Sequence, residues 1–132
     1  MQKGIFVICV SLIIFILPGC YKTNNDDKCI SYTIAPVTDV QGPATGSVNQ
    51  EINLTVLFTC FNGCGQFGNF EQVTAGNTTT IQVVAKYEGC ICTQDVPTRG
   101  SIYTFKASQT GTYYLKFLQS GNNYITDTIT IQ

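Results

Sequence analysis

The feature that most constrains this chain is a period-two alternation of apolar and polar residues in short runs. In Glu51–Cys60, Ile52, Leu54, Val56 and Phe58 fall on one side and Asn53, Thr55 and Thr59 on the other. In Thr79–Tyr87 the apolar positions are Ile81, Val83, Ala85 and Tyr87. Ser101–Lys106 sets Tyr103 and Phe105 together, Thr112–Leu118 sets Tyr113, Leu115 and Phe117 together, and Tyr124–Ile131 sets Ile125, Ile129 and Ile131 against Thr126, Thr128 and Thr130. Successive strand side chains point to opposite faces, so each run predicts a strand with one face buried. Turn signals separate the runs: Gln41-Gly42-Pro43, Thr45-Gly46, Asn62-Gly63, Ala75-Gly76-Asn77, Pro97, Gly111 and Gly121-Asn122-Asn123. Ile30–Val40 reads as an irregular edge strand broken by Pro36. No long apolar pattern of period 3.6 is present. The expectation is an all-β fold, two antiparallel sheets packed face to face as a sandwich.

The first residues follow a different rule. Gly4–Leu17 carries no charge, and Ile5–Ile16 is apolar except for Ser11. The run is short for a spanning helix of ~20 residues and fits the apolar region of a secretory signal. Leu17-Pro18-Gly19-Cys20 closes it. This tetrapeptide resembles the lipobox of bacterial lipoproteins, with Pro18 in place of the commoner small or β-branched residue. The resemblance implies cleavage before Cys20 and acylation of Cys20, which makes membrane lipid a partner and discards Cys9. The expected organisation is a signal peptide over 1–19, a flexible tether over 20–28 and a β-sandwich over 29–132. The expected location is the bacterial cell envelope. Tyr21 rather than Asp after Cys20 leans toward the outer membrane, on its periplasmic or surface face.

The stretch Tyr103-x-Phe105…Thr110-Gly111-Thr112-Tyr113-Tyr114-Leu115 resembles the end of an immunoglobulin-like domain. The resemblance covers Gly42–Gln132 and implies a tyrosine corner at Tyr113, with Leu115 facing the core two residues on. Leu115 stands where antibody domains carry a cysteine, and the chain has no Trp. The likeness is therefore to the wider bacterial immunoglobulin-like class.

Cysteine is the unusual chemistry. The chain has 7 Cys and no His. Without His there is no Ser-His-Asp or Cys-His catalysis and no His-ligated metal. A net charge of −1 provides no basic field for nucleic acid. Beyond Cys20, two clusters stand out, Cys60-Phe61-Asn62-Gly63-Cys64 and Cys90-Ile91-Cys92, with Cys29 apart. In an exported protein these sulfurs are expected to form disulfides. Cys60, Cys64, Cys90 and Cys92 are the expected participants, linked across clusters, with Cys64 to Cys90 or Cys92 preferred. The alternative is a thiolate site for zinc or Cu(I) on the same four sulfurs, or a thiol-redox pair. The body's acids, Asp39, Glu51, Glu71, Glu88, Asp95 and Asp127, show no pairing suited to acid–base catalysis. Glu88 and Asp95 bracket the second cluster; solubility of a charge-poor surface is their expected role and a loop calcium site the alternative. Phe61, Phe67 and Phe70 are expected to plug the end of the core, or else to form a contact loop. No cofactor and no catalytic residue are expected. The functional expectation is a non-enzymatic, lipid-anchored binding or structural module for a protein or glycan ligand.

Overall fold

The computed structural model describes residues 29–132, and every regular element among them is a strand. In chain order these are β1 (Ile30–Ala35), β2 (Val37–Gln41), β3 (Thr45–Gly46), β4 (Ile52–Thr59), β5 (Gly65–Ala75), β6 (Thr78–Glu88), β7 (Thr98–Phe105), β8 (Gly111–Ser120) and β9 (Asn123–Ile131). They form a 6-stranded sheet, β1-β6-β8-β9-β3 with β5 also on β6, and a 3-stranded sheet, β2-β4-β7. The two-layered β-sandwich expected from the alternating runs is the fold. Residues 1–28, including Cys20, its lipobox and the tether, lie outside the described residues.

The alternation decides which side chains meet between the sheets. Ile52, Leu54, Val56 and Phe58 from β4 face Ile81, Val83 and Ala85 from β6, Leu115 and Phe117 from β8, and Ile129 and Ile131 from β9 in one core cluster. Aromatic rings run through it: Phe67 lies 4.7 Å from Phe70, Phe70 5.2 Å from Tyr103, and Tyr103 5.6 Å from Phe117. The last two contacts are edge-on, the arrangement the ring quadrupoles favour.

Three features differ from the expected picture. First, Pro36 divides two strands on different sheets: β1 pairs β6 and β2 pairs β4. Proline has no N–H to give a ladder, so the crossing falls where pairing is interrupted anyway. Its carbonyl still accepts from the Thr59 N–H at 3.0 Å. Second, Gly65–Ala75, which lacks clean alternation, is an 11-residue strand forming a hairpin with β6. A register shift between Phe67 and Asn69 lets both Phe67 and Phe70 pack against the core. Third, the sheets are not wholly antiparallel. β6 and β8 pair in parallel over Thr78–Ile81, and β3 and β9 pair in parallel. Because β5 takes one edge of β6, β8 must use the other. The chain reverses twice on the way, through β7 in the opposite sheet, and so arrives parallel.

Tyr113 forms the expected corner. Its hydroxyl donates to the Gln109 carbonyl four residues upstream at 2.9 Å, and Leu115 is fully buried.

Candidate functional site

β6 and β8 run toward one end of the sandwich, where β4 also finishes and β1, β5 and β7 begin. The cysteines gather at this pole. Cys29 bridges Cys90 and Cys64 bridges Cys92, with sequence separations of 61 and 28. The loop after β6 lies on the loop after β4, with the Gly63 N–H donating to the Thr93 carbonyl at 3.0 Å. The Gly89 N–H donates to the Cys29 carbonyl at 2.9 Å, which brings the start of the described chain to the same place. Gly89 has a φ of 143°, and a Cβ there would sit 2.9 Å from the Cys64 sulfur. Glycine is thus required both for the backbone conformation and for the room.

One expected disulfide residue is corrected. Cys60 is a free thiol, 1% exposed. The reason is the alternation itself: Cys60 continues Ile52, Leu54, Val56 and Phe58 and points into the core, away from the other sulfurs. Burial pushes its thiol pKa up, against the pull of the Tyr87 hydroxyl and the Arg99 charge. The partner absent from the expected set is Cys29, which takes Cys90. Cys90 and Cys92 point toward different partners, although an extended segment would send them the same way. The turn at Gly89 and the irregular backbone beyond it break that geometry. Three of the four sulfurs of the thiolate-metal alternative are engaged in disulfides in this structure.

Around the thiol the pole is tightly bonded. The Phe61 N–H donates to the Tyr87 hydroxyl at 3.1 Å, and the Phe61 ring stacks on Tyr87 with centroids 3.9 Å apart. Arg99 donates to the Gly65 and Gly63 carbonyls at 3.1 and 3.4 Å, holding the first cysteine loop against β7. The two acids bracketing the second cluster have local partners: Glu88 pairs with Lys86 at 2.7 Å, and Asp95 accepts from the Thr93 hydroxyl. An apolar recess of about 210 Å³ opens here, lined by Ile34, Pro36, Cys60, Phe61, Tyr87 and Val96.

The opposite pole has another character. A groove of about 390 Å³ runs between the ends of β5 and β7, lined by Gln72, Thr74, Thr79, Thr104, Lys106 and Ser108, with the Tyr103 and Tyr113 rings alongside. The Tyr103 hydroxyl donates to the Gln72 side-chain carbonyl at 2.6 Å across the gap between sheets. Sequence reading missed this groove because β5 was not legible as a strand.

A family model described as the ORF11 beta-sandwich domain matches residues 54–131, more than half of the chain. The chain belongs to the ORF11 beta-sandwich domain family. The match runs from the third residue of β4 to the last residue of β9, so it contains Cys60, Cys64, Cys90 and Cys92. Cys29, β1, β2 and β3 precede it, and the Cys29–Cys90 bridge ties that preceding segment to the ORF11 beta-sandwich span. No curated protein and no solved structure matches the chain.

Proposed function

We propose that this protein is a lipid-anchored module of the bacterial cell envelope, held by acylated Cys20 in the outer membrane and presenting its sandwich as a non-enzymatic binding or adhesion unit. The observation that carries the reading is the polarity of the molecule. Cys29, the first residue after the tether, is covalently closed onto the end of β6 at one pole, and the polar groove opens at the other. Tension on the tether therefore enters a strand at the centre of the larger sheet rather than peeling β1 from its edge. Two disulfides also match an oxidising compartment outside the cytosol.

The far groove fits a hydroxyl-rich ligand, a glycan in preference to an apolar peptide. Its hydroxyl and amide side chains supply both donors and acceptors, and the half-buried Tyr113 ring supplies flat apolar surface. Detergent phase partitioning and envelope fractionation test the anchor. The wild-type chain is expected in the detergent phase and the outer-membrane fraction, and Cys20→Ala in neither. Unchanged partitioning of Cys20→Ala overturns the anchor.

A further inference from the structure

We infer that the disulfide-clamped pole seats on the surface of the lipid bilayer, with Ile91 as the inserted side chain. The inference rests on the anchoring reading above. Ile91 is 95% exposed, yet both its neighbours, Cys90 and Cys92, are bridged to other parts of the pole. An apolar side chain is thus held out into solvent on a backbone with little freedom left to lose. Val96 and Phe61, 63% and 56% exposed, stand on the same end. Three exposed apolar side chains at one end of a charge-poor pole suit a contact with an apolar phase.

The occupant follows from the chain that leads here. At ~3.5 Å per residue, the segment from Cys20 to Cys29 spans at most about 30 Å. Its end is fixed to Cys90, the residue next to Ile91. An acylated Cys20 therefore keeps this pole within about 30 Å of the bilayer. The electrostatics agree. Residues 60–64 and 89–94 contain no charged side chain. Among the described residues, the nearest charges are paired or hydrogen-bonded: Lys86 with Glu88, Arg99 on two carbonyls, Asp95 on Thr93. Such an apex enters the headgroup region without stripping water from an unpaired ion. A protein partner or a second copy would gain nothing from the short tether, whereas a membrane surface gains from it directly. Seated this way, the sandwich stands with its polar groove facing away from the lipid.

The chain has no Trp, so a single introduced tryptophan is an unambiguous reporter. The acylated full chain carrying Ile91→Trp is reconstituted into vesicles of phosphatidylethanolamine and phosphatidylglycerol, with and without brominated acyl chains. Val48→Trp, at the opposite pole, serves as the comparison. The expected result is a blue-shifted Ile91→Trp emission that loses most of its intensity over brominated lipid, with Val48→Trp unaffected. Protein that floats with the vesicles while Ile91→Trp keeps a water-like emission overturns the docking and leaves the anchor standing. A blue shift without quenching by brominated lipid also overturns it, assigning the patch to protein. Failure to float with the vesicles removes the anchor itself, and the docking with it.

Discussion

Replacing Cys64 and Cys92 together by Ser removes a bridge that closes a 28-residue separation. In the chain-entropy account, cross-linking a loop of that length takes away unfolded-state freedom worth about 3.5 kcal/mol at 25 °C. The surrounding bonds survive in the native state: the Gly63–Thr93 backbone hydrogen bond and the Arg99 contacts to Gly63 and Gly65 do not involve either sulfur. The loss should therefore appear mainly through the unfolded chain. For a domain near 100 residues, it corresponds to a fall in Tm of about 15 °C. The same reasoning gives about 4 kcal/mol for the longer Cys29–Cys90 loop, with its separation of 61. Urea unfolding followed by tyrosine near-ultraviolet circular dichroism provides the second readout. The dependence on urea should steepen, because the released chain exposes more surface when it unfolds. A fall in Tm under ~5 °C with an unchanged urea slope would refute the reasoning: the bridge would then be stapling loops that are already fixed, or opposing native strain.

Tyr113→Phe removes the hydroxyl that reaches the Gln109 carbonyl and should cost about 1 kcal/mol in urea unfolding; an unchanged midpoint would show that the corner carries no stability. Cys60, buried and with its thiol pKa raised by that burial, should fail to react with a disulfide reagent in the native protein and give one thiol per chain in denaturant; fast native reaction would mean the core opens at the pole. Asp127 has a buried carboxylate oxygen without a hydrogen-bond partner among the described residues, and burial raises its pKa against the pull of the Thr128 N–H. The native state thus holds this proton more tightly than the unfolded chain, and stability falls as pH rises from about 3.9, the unfolded value, through the raised native one. Asp127→Asn should therefore raise Tm at pH 7 and give no gain below that window, as scanning calorimetry can measure; an equal gain at pH 3 would sink the assignment.

The strands that the sequence makes legible are those whose two faces differ in environment. β4 reads off directly because Ile52, Leu54, Val56 and Phe58 meet the core while Asn53 and Thr55 meet water. The same period carried one residue further places Cys60 inward, so its exclusion from the disulfides was available in the pattern. The expectation that the two cysteine clusters bridge each other, all four sulfurs included, outweighed it. β5 was not legible because an edge strand with a register shift near Gly68 spends most of its length exposed. Its Phe67 and Phe70 consequently have no fixed period. Parallel pairing of β6 with β8 leaves no local trace, since it follows from which edge of β6 remains after β5 and β1 have taken theirs. The Cys29–Cys90 bridge joins residues far apart in the chain, and no spacing rule selects it among the possible pairings.

Mass spectrometry of the protein extracted from membranes, digested without reduction, tests the central claim most directly. The account predicts an N-terminal peptide starting at acylated Cys20, linked peptides joining Cys29 to Cys90 and Cys64 to Cys92, and Cys60 as a free thiol. An unacylated chain that retains its first residues, with every sulfur reduced, would contradict it.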